Sequence, residues 1–465
     1  MAVPRIAPTH VERPFDVAEL FFSTTDRKGV IVSGNDVFAR VSGWSEPELT
    51  GEPHNIIRHP DMPRAVFRLL WEYLESGRPI AAYVKNMAKD GAFYWVLATV
   101  APLAEGYLSI RLKPTSELLP AVEALYAELV GIEHEIERGG GKPAEAMAAS
   151  GERLGERLAQ LGFAKYDDFM HVAVATEMRA RRAAMGVRAS SGAVHTVARQ
   201  VDVREAAAAL SRYRYRQFEI LEQYEHLHEV FRGKTDSVLQ LADNVRLFSL
   251  NSQIGAARLG DAGAALGVIA DIMRMRSDAT ANLVRDMSNG IAGIVDELGA
   301  LSFNLSIATL QSDMTAQFIQ ELGTHEAGTG HALLTANIDA LSEGLRNGVG
   351  PSLASLGALA RHLDGIIATL ELLRSELRQL DALQVAGRVE SARLAEAGAF
   401  RVLFEEIRAQ ITSAREEMEG LHVVEAIRDA TLDATADVGI THALDRLDAW
   451  ASSVTGTGSA AASAA

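Results

Sequence analysis

The stretch that decides how the N-terminal part folds is "PHNIIRHPDMP", Pro53–Pro63. Its three prolines fix φ and keep the residues before them out of the helical conformation, so the segment is predicted to be stiff and irregular. The same eleven residues hold two histidines, an arginine and an aspartate. A stiff polar segment of this kind serves either a bound ligand or a turn.

The residues before and after this segment predict a small α+β domain over residues 15–115. Short strands are predicted at Phe21–Thr25 and Val30–Ser33. A helix is predicted to begin near Met62, because Asp61 stands where an N-cap belongs and Pro63 where a first turn tolerates proline.

Three further strands are predicted after that helix. "IAAYVKNMAK" turns at Asp90-Gly91, a strong hairpin signal, into "AFYWVLATVAPL". Ala104–Gly106 then turns the chain into "YLSIRLK". A strand pair, helices and a three-strand meander predict an antiparallel five-stranded sheet with helices on one face.

The composition excludes several classes of function. The chain of 465 residues has 45 basic and 61 acidic side chains, a net charge of −16, which argues against non-specific binding to nucleic acid or anionic membranes. It has no cysteine, which excludes zinc–thiolate sites, iron–sulfur clusters and a cysteinyl-flavin light sensor. The sequence shows neither a long apolar run nor a signal peptide, so a cytoplasmic protein without a membrane span is expected.

The rest of the chain is predicted to be almost entirely helical. The predicted organisation is a helical linker region at 116–200, one helical hairpin at 201–328, a second at 329–450, and a disordered low-complexity tail at 451–465. The linker region carries no readable role.

An internal repeat underlies the two hairpins. Phe248–Arg274 resembles Leu383–Arg408, and a heptad-like apolar seam leads into each copy. Each seam reaches a small, glycine-bearing turn, near 260–263 in the first copy and near 395–398 in the second. Two antiparallel hairpins of this kind are predicted to close a four-helix bundle, with coiled-coil-like seams, within one chain.

The N-terminal motifs resemble a known family. "STTD", "ND.F..VSG", "EL.G.PHN", "RHPDMP", "VKN..K.G.FYWV.A...P" and "GYLSIR" follow one another over residues 22–113 as in the PAS sensor domain of bacterial aerotaxis receptors. The resemblance implies non-covalent binding of FAD and a report of redox or respiratory state. It places the following residues at the flavin: Arg58, His59, Asp61, Asn86, Trp71 and Asn35.

The chemistry of these side chains suits that assignment. Arg58 and His59 are suited to the pyrophosphate or ribityl groups, and Asn86 offers a donor and an acceptor to the edge of the isoalloxazine ring. Each residue also has a structural interpretation, with Asp61 as an N-cap, Trp71 as a core aromatic and His59 as a loop histidine. A haem held by a histidine of the proline segment is a further alternative.

The helical half resembles the cytoplasmic signalling hairpin of methyl-accepting chemoreceptors. The first copy keeps much of that pattern but has Gly255 where a glutamate is expected, and the second copy keeps Glu390. The resemblance implies contacts with chemotaxis-type signalling proteins or other such bundles through five polar residues of the hairpin tips: Arg258, Asp261, Glu390, Arg393 and Glu396. The alternative is a solvated turn with ordinary i,i+3 charge pairs.

Together these features predict a soluble redox sensor, forming a homo-oligomer, in which a flavin signal passes through the last strands and the helix near Ser116 to the bundle. The alternatives are a cofactor-free scaffold, a haem gas sensor and a flavin oxidoreductase. An enzyme is not expected, because the sequence has no G-x-G-x-x-G fingerprint and Lys142 is followed by Pro143 instead of the Ser or Thr of a phosphate-binding loop.

Overall fold

The computed structural model describes residues 6–185, 223–224, 238–322, 329–393, 398–419 and 423–435, with a few single residues beyond 435. The chain divides into two compact units. The first consists of Met1–Tyr215, Gly299–Ser352 and Val438–Ala465, and the second of Arg216–Leu298 and Leu353–Asp437. The predicted tail at 451–465 lies outside the described residues.

The first unit is built on a five-stranded antiparallel sheet. Its strands are β1 (Phe21–Asp26), β2 (Ile31–Gly34), β3 (Ile80–Met87), β4 (Phe93–Leu103) and β5 (Gly106–Leu112), in the order β2-β1-β5-β4-β3. All neighbouring pairs are antiparallel. The hairpin predicted at Asp90-Gly91 joins β3 to β4, and Gly91 adopts the positive φ of 86° that such a turn requires.

Short helices cover one face of this sheet, as predicted. They are α1 (Asp36–Ser42), α2 (Glu46–Leu49), a 3-10 turn at His54–Ile57, and α3 (Arg64–Glu75). The 3-10 turn is the observed form of the proline-rich segment, which forms neither an α-helix nor a regular strand. The predicted fold class of this part is therefore confirmed.

The predicted start of α3 is wrong. The helix begins at Arg64 with the extended Pro63 as its N-cap residue, and Asp61 lies outside it. The free amides of the first turn are bound instead by the carboxylate of Glu133, which accepts from the N–H of Arg64 at 3.0 Å and of Ala65 at 3.2 Å. The cap comes from a distant helix, so no local motif could have revealed it.

Three helices of the predicted linker region complete the first unit: the first and third contact the sheet, and the second packs against both of them and against α3. They are α4 (Leu118–Arg138), α5 (Pro143–Gln160) and α6 (Tyr166–Ala184). The Tyr126 hydroxyl donates to the carbonyl of Tyr83 on β3 at 3.1 Å, and the rings of Tyr126 and Trp95 lie 6.1 Å apart. This region, for which no role was predicted, thus completes the core of the first unit.

The junction between β5 and α4 is held by a buried carboxylate of α6. Glu177 accepts hydrogen bonds from the backbone N–H of Thr115 at 2.7 Å and of Ser116 at 3.0 Å. The hydroxyls of Ser116 and Tyr83 donate to it as well, at 2.6 and 2.9 Å. Four donors satisfy this carboxylate, which fixes the direction in which α4 leaves the sheet.

Two long helices contribute to both units along the chain. They are α8 (Ala264–Leu322) and α9 (Thr329–Arg393), of 59 and 65 residues. In the first unit, Phe318 of α8 meets Phe22 of β1 with ring centroids 5.0 Å apart. The predicted boundary between the two hairpins, between 328 and 329, adjoins residues 323–328, which lie outside the described residues.

The second unit is a four-helix bundle, as predicted. It combines α7 (238–258), the first half of α8, the second half of α9, and the pair α10 (Gly398–Glu419) and α11 (Val423–Thr435). A 3-10 turn at Gly260–Gly263 forms the first predicted bend. Residues 394–397 of the second bend lie outside the described residues.

Contacts between its helices show that the bundle closes within one chain. Arg276 of α8 pairs with Glu376 of α9 at 3.2 Å, and the rings of Phe248 on α7 and Phe404 on α10 are 5.0 Å apart. The predicted seam forms its core, since all of the following are buried: Leu363, Ile366, Leu370, Leu373, Leu377 and Leu380. Gly255 leaves room for a ring, because a Cβ there would lie 2.7 Å from Cζ of Phe400. This contact gives a physical reason for glycine at the position where the first copy lacks the expected glutamate.

Two helices of the described chain are apolar and long enough, by composition alone, to cross a membrane. Gly260–Glu321 and Ala332–Arg393 contain 18-residue windows of mean hydropathy 1.4 and 1.2, of which 44% and 39% is buried inside the structure. The core helix of a bundle meets the same criterion. The absence of a membrane span therefore stays a prediction.

Candidate functional site

A cavity of about 280 Å³ lies between the inner face of the sheet and α3. Its volume is close to the lower end of the range typical of small-molecule sites. The strands contribute Val84, Asn86, Ala98, Val100, Tyr107, Ser109 and Arg111, and α3 contributes Phe67, Leu70, Trp71 and Leu74. The 3-10 turn adds His54, and Arg58 follows directly after it.

Two periodicities bring these side chains together. Asn86 follows Val84 by two residues on β3, and Arg111 follows Ser109 by two residues on β5, so each pair points to the same face of the sheet. The residues of α3 are spaced three or four apart and form one stripe. The cavity is therefore a product of ordinary alternation with polar residues at three inward strand positions.

Three of the six residues assigned to the flavin line the cavity. They are Arg58, Trp71 and Asn86. Arg58 and Asn86 are joined through their backbones by an isolated antiparallel bridge. Asn86 is 3% exposed, and its side-chain amide has no hydrogen-bond partner in the described part of the chain. The sheet and the proline segment thus meet at this cavity.

The guanidinium of Arg58 lies against an aromatic wall. It sits 4.3 Å from the ring centroid of Phe67 and donates to the carbonyl of Met62 at 3.2 Å. Burial, together with the nearby charge of Arg64, lowers the pKa of Arg58, which nonetheless leaves it a cation near neutral pH.

The other three predicted residues do not line the cavity. Asn35 uses its side chain to hold β1 to the start of α1. Its Oδ1 accepts from the N–H of Phe22 at 3.0 Å and of Phe38 at 3.1 Å, and its Nδ2 donates to the carbonyl of Leu20 at 2.8 Å. The geometry therefore gives Asn35 an N-cap role and does not support its assignment to the flavin.

His59 and Asp61 also lie outside the cavity lining. The Asp61 side chain is 61% exposed and pairs with Nζ of Lys85 at 2.7 Å, which contributes to lowering its pKa. His59 is buried, and its Nδ1 accepts from the N–H of Asp61 at 3.1 Å. Burial, assisted by the charge of Lys85, lowers the pKa of His59. These contacts stabilise the loop and do not bring either side chain to a ligand in this cavity.

The structure adds Arg111, which the sequence analysis did not identify. Arg111 is 2% exposed and lines the cavity. Its Nη2 donates to Oγ of Ser23 at 2.6 Å and bonds to Nε2 of His54 at 2.5 Å, whereas its Nη1 has no partner. Burial lowers the pKa of Arg111 to about 10, so the group is still charged at neutral pH. The inward position of an arginine in "YLSIRLK" was the signal available in the sequence.

His54 is held neutral beside this arginine. Burial, together with the positive charge of Arg111, keeps the pKa of His54 well below its usual value. Its ring stacks nearly parallel to that of Phe38, with centroids 5.8 Å apart. Because Nε2 is bonded to Arg111, it is not free to bind a haem iron, and the haem alternative loses its better-placed histidine.

The cavity therefore combines an aromatic wall with several donors that lack partners. Nη1 of Arg111 and Oγ of Ser109 are buried without a hydrogen-bond partner. The amide of Asn86 adds a third polar group, and Trp71 supplies a flat apolar surface. This set suits a planar heteroaromatic ligand that carries carbonyl and ring-nitrogen acceptors.

Four of the five predicted partner-contact residues are described, and they lie near the two bends of the bundle. Arg258 and Asp261 are exposed, and Arg393 pairs with Glu390 at 3.3 Å as an i,i+3 pair. Arg393 is 72% exposed, and Glu396 lies outside the described residues. An ion pair of this kind suits a solvated helix end, so a partner at the tips stays a prediction.

Exposed apolar residues beside the tips were not identified in the sequence analysis. They occur at equivalent positions of the two repeats, at Leu250, Ile254 and Val268 in the first and at Val385, Val389 and Val402 in the second. They are spaced as residues on one exposed surface of a helix. In the sequence this spacing is difficult to separate from that of the buried apolar seam on the same helices.

Comparison with known proteins identifies the N-terminal domain. The family model of the PAS fold matches residues 31–107. The chain is 46% identical over 112 residues to the aerotaxis receptor of Escherichia coli K12, covering 23% of this chain and 22% of that protein. It is 27% identical over 86 residues to a nitrogen fixation regulatory protein of Klebsiella pneumoniae, covering 18% and 17%.

The comparison with solved structures includes a PAS domain. The crystal structure of the PAS domain of a protein from Colwellia psychrerythraea is 20% identical, covers 20% of this chain and 85% of that chain, and has a TM-score of 0.18. The chain spans about a fifth of the length of the curated relatives it matches. The N-terminal domain is thus a PAS fold similar to that of an aerotaxis receptor, and the chemoreceptor-like character of the bundle stays a prediction.

Proposed function

We propose that this protein is a redox sensor in which the PAS domain binds FAD non-covalently and the helical bundle transmits the signal. The observation that carries the proposal is the cavity beside α3, with its aromatic wall and its buried donors without partners at Ser109 and Arg111. Similarity to an aerotaxis receptor over the PAS region supports it.

The cost of the unpaired donors favours a cofactor over an empty cavity. A buried polar group without a partner costs about 1–3 kcal/mol, and a buried charge costs more. A flavin ring carries carbonyl and nitrogen acceptors that suit Arg111, Ser109 and Asn86, and it supplies reversible electron transfer when bound. Arg58 and Lys28, which also line the cavity, would hold the phosphates.

Transmission is supported by the alternation of β5. Ser109 and Arg111 face the cavity, and Leu108 points to the opposite face, where its Cδ2 would lie 2.9 Å from a Cβ at Gly344 of α9. A displacement of β5 by the ligand would therefore change the packing against α9, a long helix that continues along the chain into the bundle. Couplings of about 1–3 kcal/mol are typical of such linked sites.

The proposal includes a cytoplasmic location and a role that is not enzymatic. Its partners would be chemotaxis-type signalling proteins or other helical bundles, met through the tips, and a homo-oligomer is expected. A cofactor-free scaffold is the competing function, because the same fold would serve association with an empty cavity.

The test is the visible absorption spectrum of the purified protein before and after dithionite. Flavin bands that bleach on reduction are the expected result. A sharp haem band would retain the sensor but replace its cofactor. A colourless protein that takes up no added FAD would reject the flavin proposal and favour the scaffold.

A further inference from the structure

We propose that Arg111 sets the redox balance of the bound ring, because its guanidinium supplies the positive charge that favours the reduced, negatively charged form. The inference rests on the proposed function and extends it from the binding of FAD to the residue that determines when the sensor switches. Arg111 acts here by charge, as a residue touching the ligand.

The first observation is that Arg111 is a buried cation without a counter-charge. Nη2 is used by Ser23 and His54, both neutral, and the guanidinium lies 5.0 Å from the ring centroid of Phe38. Within the described residues no carboxylate forms an ion pair with it. A buried charge left in this state is strongly unfavourable unless a ligand compensates it.

The second observation is the charge of the whole cavity. Its lining includes the cations Lys28, Arg58 and Arg111, whereas no aspartate or glutamate among the described residues lines it. Lys28 is exposed, and Arg58 is half-buried beside α3. Arg111 is the fully buried member, on the sheet beside Ser109 and its free hydroxyl. The positive charge at the deep end of the cavity therefore favours a ligand whose ring presents an electron-rich edge there.

Reduction of the bound flavin ring places a negative charge on it. Two electrons from a donor, for which the test uses dithionite, and one proton from solvent leave one net negative charge on the ring. A cation next to that charge stabilises the reduced state more than the oxidised state, which is the differential interaction that a redox switch requires. Arg111 is the penultimate residue of β5, so the same charge change reaches this strand directly.

The test compares wild-type protein with Arg111→Gln, Arg111→Lys and the control Arg68→Gln, an exposed arginine of α3 that pairs with Glu72. The bound-flavin midpoint potential is measured against a reference dye. For Arg111→Gln we expect the affinity for reduced FAD, relative to oxidised FAD, to fall at least tenfold, which lowers the potential by about 30 mV. Arg111→Lys and Arg68→Gln should change this ratio of the affinities for reduced and oxidised FAD less than threefold.

The outcomes separate this inference from the proposed function. A wild-type protein that binds no FAD overturns both. A flavin-loaded Arg111→Gln variant with an unchanged potential overturns the inference alone. If that variant takes up no FAD, the melting temperature of its apoprotein distinguishes a ligand-directed role of Arg111 from a structural one. A value at or above that of the wild-type apoprotein supports a ligand-directed charge, and a lower value makes Arg111 a structural residue and overturns the inference.

Discussion

The hydroxyl of Ser33 on β2 donates a hydrogen bond of 2.7 Å to Oδ1 of Asn337 on α9, and both residues are buried. Oγ1 of Thr24 on β1 lies 2.8 Å from the same hydroxyl. The two outermost strands on this side of the sheet are thus tied to a long helix by polar contacts. A direct link of this kind was not foreseen from the sequence, which pointed only to the helix near Ser116.

Removing this hydroxyl should weaken the first unit. Ser33→Ala leaves a buried acceptor on Asn337 without its donor, which costs about 1–3 kcal/mol. Urea unfolding followed by tryptophan fluorescence measures this loss in the free energy of unfolding, because Trp44, Trp71 and Trp95 all lie in the PAS domain. Thr24→Val is the control and should cost less, since it leaves the Ser33–Asn337 bond intact. Equal effects from both variants would argue against this account.

Glu133 caps α3 from a distance, and its replacement should be costly. Glu133→Ala leaves the N–H groups of Arg64 and Ala65 unpaired. It also removes the closer acceptor of the Ser150 hydroxyl, at 2.7 Å, and leaves that hydroxyl only the carbonyl of Met147 at 3.3 Å. We expect a loss of about 2–4 kcal/mol in the free energy of unfolding from a lost cap and buried donors.

The matched control lies one turn along α4. Glu137→Gln removes only a half-exposed ion pair with Arg64 and should cost less than about 1 kcal/mol. Because α3 carries Trp71 and Phe67, Glu133→Ala should also weaken FAD binding, as measured by titration. A variant as stable as Glu137→Gln would show that water replaces the cap.

Asn86 tests the cavity without disturbing its walls. Its amide has no protein partner among the described residues, so Asn86→Leu removes hydrogen bonds to a ligand and little else. We expect the affinity for FAD to fall at least tenfold, which corresponds to about 1.4 kcal/mol. The apoprotein should keep its melting temperature. Unchanged affinity in a folded variant would remove Asn86 from the site.

His54 makes stability fall as the pH falls. Its pKa is lowered in the folded state, so its contribution is present above the unfolded value of 6.5 and is lost below it, where only the unfolded chain takes up the proton. The expected slope is about 1.4 kcal/mol per pH unit. His54→Gln keeps an acceptor for Arg111 and should show a shallower decline between pH 7 and 5 in urea unfolding.

The control for this pH dependence is His134→Gln, at an exposed position on α4. It should follow the wild-type curve. The pKa of His59 is also lowered, but His59 is present in each variant and cancels in the comparison. If the curves of His54→Gln and wild type run parallel, protonation of His54 is not coupled to unfolding.

Local sequence patterns predicted the helices and strands, but they did not predict contacts between residues that are distant in the sequence. The Asp90-Gly91 hairpin and the leucine seam of α9 follow from turn chemistry and periodicity, which act over a few residues. Glu133 and Arg64 are 69 positions apart, and Arg111 and His54 are 57 apart. Only the fold brings such pairs together, which explains why Asp61 was preferred as a cap and Arg111 was not identified.

The cavity contains three of the six residues that the resemblance implied for the flavin. Arg58, Trp71 and Asn86 line the cavity, whereas the polar atoms of Asn35 bond to the backbone. A motif records which residues a fold needs without separating those that touch a ligand from those that hold the loop. Burial and hydrogen-bond partners make that separation.

The bundle offers a last test, in which two glycine substitutions on one helix should have opposite effects. Gly387 and Gly365 both lie within α9 in the second unit. A Cβ at Gly387 would clash with the ring of Phe404 on α10, whereas nothing lies within 4 Å of a Cβ at Gly365. Alanine is favoured over glycine inside a helix by about 0.8–1.0 kcal/mol, so Gly365→Ala should stabilise the bundle.

At Gly387 the same gain is outweighed by overpacking, which costs about 1–3 kcal/mol when a core cannot adjust. Gly387→Ala should therefore lower the free energy of unfolding, measured by urea titration with far-ultraviolet circular dichroism. Phe404→Leu in the same chain should relieve the clash and recover part of the loss. If Gly387→Ala stabilises as much as Gly365→Ala, α9 and α10 do not approach each other closely in solution, and the closed four-helix bundle would have to be abandoned.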